Sequence, residues 1–362
     1  MADRYARLRA RVDGLEIAGL RRRLRVVEPT SATNARVDGR EMLIFCSNDY
    51  LGLSAHPDIK AAFVGGGGNS ARLVSGNRRA HEALEAALSE TFGRPATLFP
   101  SGYAANLGLY TTVVGRGDLA VSDALNHASI IDGLRLSRAE RTILPHGDAA
   151  AIPRSATLVA TETCFSMDGD IPELQAWTGA HWLAVDEAHA VGALGPQGRG
   201  VAAAQGITPD FVVGTLGKAY GAAGAFVIGP PELRELLVST ARSFVYTTAM
   251  PEGVAAAALV GLKLASTERR ERLCANAYRL RRGLRDVGAT VLGDAHIIPV
   301  LTGARTMEVA ARLGDAGIFA PGIRFPTVPR GHERIRLTAC SEHTDAQIDR
   351  CIDAVARALA AR

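Results

Sequence analysis

Trp182-Leu183-Ala184-Val185-Asp186-Glu187-Ala188-His189 is the stretch on which the fold turns. A short apolar run delivers two carboxylates and an imidazole at its carboxyl end. Uninterrupted runs of this kind suit strands buried on both faces, and such strands belong to sheets covered by helices. Leu158-Val159-Ala160 and Phe211-Val212-Val213 have the same character, and each leads into a polar or glycine-containing turn. Helical spacing stands upstream in Ala80, Ala83, Leu84, Ala87 and Leu88, with Gly93 as a stop. The alternation predicts an α/β domain with a mostly parallel central sheet over residues 42–252. In such sheets ligands bind beyond the carboxyl ends of the strands.

The flanks read differently. Leu8, Val12, Leu15 and Gly19 give a weak helical stripe, and the run Arg21-Arg22-Arg23-Leu24-Arg25 follows, so residues 1–41 are read as an N-terminal helical arm. The arginines fit either a solvated face or a site for an anionic substrate. Beyond residue 253 a helix is expected over 267–287, before Gly288, with strands near 290–292 and 297–300. Thr344-Asp345-Ala346-Gln347 is a capping box, behind which Ile348, Ile352, Val355 and Leu359 line one helix face. Residues 253–362 are therefore read as a smaller α+β domain.

Composition removes several function classes. Of 362 residues 47% are hydrophobic and 22% charged, which argues against disorder, and a net charge of +4 does not call for a nucleic-acid partner. The five cysteines are scattered with no Cys-x-x-Cys, so neither a disulfide framework nor a zinc site is expected; the histidines lack paired-ligand spacing, so no metal is expected. The most apolar segment, 254–262, falls short of the ~20 residues a bilayer requires. The opening residues carry no secretory pattern, and a cytoplasmic protein with no membrane partner is expected.

Asp186-Glu187-Ala188-His189 admits two chemistries. One is the acidic box of a DEAH-type nucleotide-driven helicase, which also needs an upstream G-x-x-x-x-G-K-[ST] loop. The only Gly-Lys pair, Gly217-Lys218, lies downstream, is followed by Ala219 and has Val212 where the first glycine belongs. The other chemistry pairs Asp186 with a heterocyclic nitrogen. Lys60, Lys218 and Lys263 are the only lysines among 41 basic residues, and Lys218 lies among small residues just past an apolar run. An ammonium there is costly to desolvate. A Schiff base with a cofactor aldehyde removes that cost. With Asp186 keeping the ring nitrogen protonated, the pair fits pyridoxal 5′-phosphate (PLP). Residues 101–106, Ser-Gly-Tyr-Ala-Ala-Asn, open an expected helix whose free N–H groups suit a phosphate, and His127 is placed to stack on a ring.

In chain order, residues 47–53 (SNDYLGL), 71–76 (ARLVSG), 101–106, His127-Ala128-Ser129, 165–170 (FSMDGD), 186–189, Gly217-Lys218 and 326–329 (PTVP) resemble the α-oxoamine synthase family of fold-type-I PLP enzymes, over about residues 20–340. The resemblance implies a fold-type-I PLP-dependent transferase acting as a homodimer. It implies that Lys218 is the Schiff-base lysine, that Asp186 pairs the pyridine nitrogen, that Ser166 and His189 contact the ring's phenolic oxygen, and that His127 stacks on the ring and assists catalysis. It places Gly102, Tyr103 and Thr215 at the cofactor, and brings Thr247 and Thr248 to the phosphate from a partner subunit. Asn48 and Arg336 are assigned to an amino-acid carboxylate, and Arg21 and Thr327 to an acyl substrate. The implied reaction condenses L-alanine with pimeloyl-CoA, or its acyl-carrier-protein equivalent, in biotin synthesis. Siblings use glycine with acetyl-CoA or succinyl-CoA. The chain departs from the family pattern at Ser70-Ala71-Arg72, at Ala190 and in the glycine run 65–68.

Overall fold

Seven strands build the central sheet: β1 (Ala96–Phe99), β2 (Leu119–Asp123), β3 (Glu140–Leu144), β4 (Leu158–Glu162), β5 (Trp182–Asp186), β6 (Phe211–Thr215) and β7 (Ala225–Ile228). The computed structural model describes residues 4–361. The strand order is β1-β7-β6-β5-β4-β2-β3. β7 runs antiparallel to both neighbours, and the other pairs are parallel. β4 and β6 are buried along their whole length, which is why their sequences are apolar without alternation. The edge strand β3 carries exposed Glu140 and Arg141, charges that discourage pairing with another sheet.

From β2 the chain steps outward to β3, then returns past β2 and proceeds through β4, β5 and β6 in the other direction. The order thus reverses between β2 and β4, and a reversal of this kind leaves a crevice at the carboxyl ends. Asp123, Glu162, Asp186 and Thr215 end β2, β4, β5 and β6 there. Helices Gly102–Val113 and Ala128–Ser137 begin at the same end of the sheet and pack on each other. Helix Arg79–Phe92 stops at Gly93, whose φ of 69° is the left-handed turn a helix end favours.

The remaining strands form two smaller sheets. Ile297–Leu301, Gly322–Ile323 and Arg334–Thr338 form one, packed with helices Thr267–Asp286, Thr306–Asp315 and Asp345–Ala360. The capping box at Thr344 is formed: its hydroxyl accepts from Gln347 N–H at 3.3 Å, and Gln347 Oε1 accepts from Thr344 N–H at 3.0 Å. Of the strand expected at 290–292, only a single bridge from Val291 to Val300 forms.

The first forty residues correct a reading. Among the described residues of this stretch only Ala6–Ile17 is helical, and it buries no side chain in the single chain. Val27–Pro29, Asn34–Val37 and Arg40–Ile44 are strands, joined in one sheet by Ile318–Phe319 from the C-terminal region. The deciding signal is Asp38-Gly39: its positive φ angles, 48° and 83°, make the two-residue turn that twists a hairpin correctly. Ala35 and Val37 then fall inward while Arg36 points out, a period of two that no helix satisfies.

Among the described residues no helix is long and apolar enough to cross a membrane, and no cluster of three or more His, Cys, Asp or Glu residues could hold a metal ion.

Candidate active site

The crevice at the strand ends deepens into a cavity of about 340 Å³. It gathers Asn48, Gly102, Tyr103, His127, Ser166, Asp186, His189, Thr215, Lys218 and Arg336, residues far apart in sequence. Asn106, Ser129 and Glu162 join them on its wall.

Asp186 is 6% exposed, and its oxygens accept from Asn106 Nδ2 at 2.8 Å and from Ala188 N–H at 2.9 Å. Asn106 Nδ2 also reaches Ser129 Oγ at 2.8 Å, while its Oδ1 is buried without a partner. The aspartate is therefore held by neutral donors, with no fixed cation bonded to it, which suits a protonated ring nitrogen as its charge partner.

Lys218 follows β6, and its Nζ lies 2.9 Å from His189 Nε2. The other ring nitrogen of His189 is 2.5 Å from Tyr50 Oη, which donates to Asn48 Oδ1 at 3.1 Å. With the phenol proton committed to Asn48, Nδ1–H donates to Tyr50 and Nε2 accepts from Lys218; the tautomer is assigned from this network. Burial, reinforced by the Lys218 charge, drives the His189 pKa well below its ordinary value, so the imidazole is neutral. Burial also lowers the Lys218 amine to about 8, with Asp186 and Glu162 pulling the other way. An amine at that value supplies free base near neutral pH, as both a nucleophile and a proton acceptor require.

His127 caps helix Ala128–Ser137, its Nδ1 accepting from Ser129 N–H at 3.3 Å. Its ring remains open to the cavity, yet the protein around it lowers its pKa, chiefly by desolvation. Ser101 caps helix Gly102–Val113 by accepting from Ala104 N–H at 3.1 Å, so the first turn of that helix faces the cavity at Gly102 and Tyr103. That turn is suited to an anion. An amine, a buried carboxylate, a neutral imidazole and a helix N-terminus in one cavity fit an aldehyde-bearing, phosphorylated pyridine.

The loop carrying Ser166 is tied to the smaller sheet. Arg336 Nε donates to Ser166 O at 2.5 Å; Arg334 Nη1 donates to Met167 O at 2.9 Å and pairs with Asp168 at 2.6 Å. On the other side His146 bridges Asp123 at 3.0 Å and Asp170 at 2.9 Å, and these two carboxylates raise its pKa to about 10. The folded value exceeds the unfolded one of about 6.5, so this stabilisation is complete below about pH 6.5 and is gone above about pH 10. His146→Gln should therefore be less stable than the unaltered protein at pH 6. The gap in urea midpoint should close as pH rises to 11, and a constant gap would contradict the assignment.

Four candidate residues lie outside the cavity. Arg21 turns to Glu16 at 3.1 Å, whereas Arg22 donates to Thr327 Oγ1 at 3.1 Å. The guanidinium beside Thr327 is thus that of Arg22, one residue along the arginine run. Thr247 and Thr248 line a separate small recess with Arg72 and His81. In Ser70-Ala71-Arg72 the departures are Ser70 and Ala71; Arg72 itself bonds Asn77 and pairs with buried Glu85, tying the segment to helix Arg79–Phe92. A Cβ on Gly68 would stand 1.9 Å from Ala249 O, so glycine is required where this run crosses the Thr248 segment. Nothing in the structure explains Ala190. The sequence does not mark Glu162: no spacing rule singles out the acid that follows the apolar run Leu158-Val159-Ala160 at the end of β4.

The chain matches the family described as aminotransferase class I and II over residues 40–355. It is 45% identical over 376 residues to the 8-amino-7-oxononanoate synthase of Anaeromyxobacter dehalogenans, covering 97% of this chain and 94% of that one. The enzyme of the same name from Geotalea daltonii is 41% identical over 375 residues, covering 95% of each. A solved serine palmitoyltransferase from S. paucimobilis, with PLP and myriocin bound, superposes with a TM-score of 0.91 at 31% identity, over 98% of this chain and 97% of that one. The helicase alternative falls with these matches, and the fold-type-I expectation stands. By the length and level of these matches, this chain belongs to the class I and II aminotransferase family and, within it, to the 8-amino-7-oxononanoate synthases.

Proposed function

We propose that this chain condenses L-alanine with the thioester of a pimeloyl group, carried by CoA or by an acyl carrier protein, releasing the thiol and CO₂ to give 8-amino-7-oxononanoate for biotin synthesis. PLP is the cofactor. The observation that carries the reading is the convergence of Lys218, Asp186, His189 and Arg336 on one cavity of a chain 41–45% identical to enzymes of that name. Bound there, PLP supplies an aldehyde for an amine and a ring that absorbs an electron pair.

Lys218 would hold the cofactor's aldehyde, and its Nζ, as free base, would take the proton from the substrate Cα and return one to the product. Asp186, oriented by Asn106 and the Ala188 N–H, would keep the ring nitrogen protonated. His189 and Ser166 would hold the phenolic oxygen, His127 would cover the ring, and the turn at Gly102 and Tyr103 would take the phosphate together with Thr215. Arg336 meets Asn48 Oδ1 only through long contacts of 3.3 and 3.4 Å, and a carboxylate that accepts the guanidinium fork bidentately improves on both. Arg21, Arg22 and Thr327 face the acyl donor. Thr247 and Thr248 complete the phosphate site of a partner copy in a homodimer. Thr248→Ala should weaken PLP retention, and unchanged retention would count against the shared site. The three-part division at residues 41 and 252 belongs to this reading, with the arm beginning as a helix and continuing as strands.

A panel of amino acids against acyl thioesters, followed by thiol release, tests the function. Alanine with a pimeloyl thioester should be fastest. Faster turnover of glycine with acetyl-CoA or succinyl-CoA would assign the chain to a sibling reaction instead.

A further inference from the structure

Glu162 ends β4 as Asp186 ends β5, and the parallel register pairs the two residues directly. Cross-strand partners point to the same face, so two carboxyl groups stand side by side at the floor of the cavity. Glu162 is 3% exposed, and burial together with the Asp186 charge raises its pKa to about 8. A buried carboxyl beside another is destabilising unless its oxygens are hydrogen-bonded.

The partners it has are informative. Glu162 Oε1 accepts from the backbone N–H of His127, the cap of helix Ala128–Ser137, at 2.6 Å. The bonding is reciprocal: Glu162 N–H donates to Asn126 Oδ1 at 3.1 Å, and Asn126 Nδ2 donates to Ala160 O at 2.8 Å. Residues 126–127 are thereby locked to the end of β4 by three hydrogen bonds, none belonging to the sheet.

We propose that Glu162 is a positioning residue for the cofactor: its carboxyl group, by accepting the N–H of His127, fixes the segment from which His127 bears on the ring. This rests on the role given above to His127. Glu162 touches no reacting atom; it acts through His127. Asn126 ties the same segment to β4 through the Glu162 N–H and the Ala160 carbonyl, and the Glu162 carboxyl group holds the His127 N–H itself.

The test compares Glu162→Ala, which removes the bond, with Glu162→Gln, which keeps an acceptor oxygen. In the apoprotein, amide exchange at His127 should quicken about tenfold or more in E162A, while exchange in the helix 345–360 stays unchanged; a lost hydrogen bond to a buried carboxyl group is worth about that factor. In the holoprotein, the visible circular dichroism of bound PLP should fall by about half or more, PLP dissociation should rise about tenfold, and kcat should drop more than KM changes. E162Q should lie between E162A and the unaltered protein. Exchange and visible dichroism within about twofold of the unaltered values in E162A would overturn the inference. Should E162A fail to fold, the same readings on E162Q decide, unchanged values again overturning it. Absence of a pyridoxyl adduct on Lys218 after borohydride treatment of the unaltered protein would sink the reading of the site; the apoprotein exchange would then judge Glu162 on its own.

Discussion

Lys218→Ala is expected to slow thiol release by more than about 10³-fold, since positioned acid–base catalysis alone contributes about 10²–10⁴. The substitution removes the covalent anchor and the base together. Burial already holds the amine near 8, so about a tenth of it is free base at pH 7, far more than an ordinary lysine supplies. The fold should survive. The side chain opens on a cavity, and removing a desolvated amine relieves the protein of a charge it holds at a cost. The variant should bind PLP more weakly, and borohydride followed by peptide mapping should find no pyridoxyl group at position 218. Turnover within about tenfold of the unaltered protein would refute the assignment of the lysine.

Asp186→Asn should produce the second largest loss, about 10²–10³-fold in kcat, the usual result of deleting one preorganised electrostatic partner. The amide keeps the shape and one acceptor, and Asn106 Oδ1, at present without a partner, can accept from its NH₂. Stability should therefore change little. The electrostatics should change in a way that can be measured separately. Asp186 raises the Lys218 pKa, so without its charge the amine should fall below about 8; Asp186 also raises Glu162, which should fall as well. The pH dependence of reductive methylation at Lys218 in the apoprotein reads the first of these. A Lys218 midpoint that stays in place in D186N would mean the two groups are not coupled as the geometry implies.

Part of this site was plain from the order of residues. Asp186 and Lys218 each follow an apolar run, and in a parallel sheet the position after such a run is where ligands bind. The stop at Gly93 and the capping box at Thr344 were legible because they are local: the side chain, the N–H and the turn lie within four residues of each other. Other features needed the fold. Asp38-Gly39 is a strong hairpin signal, but the partner of its hairpin, Ile318–Phe319, lies almost three hundred residues away, and an arginine-rich stripe outweighed it. The difference between Arg21 and Arg22 at Thr327 depends on how one exposed stretch is directed, which periodicity does not encode. Glu162 is not legible because its use depends on a backbone N–H group that no side-chain pattern records.

The order of apolar runs, glycine turns and rare lysine determined by itself that this is a layered α/β protein with a nucleophilic amine and an acid at one end of its sheet. That information is local, set by chain periodicity and by the cost of leaving an ammonium among apolar neighbours. Tertiary structure alone decided the distances and protonation: that Lys218 meets a neutral His189, that Asp186 is held by uncharged donors, and that Glu162 stands beside it. Those properties come from strand register and burial, which exist only once distant segments have been brought together.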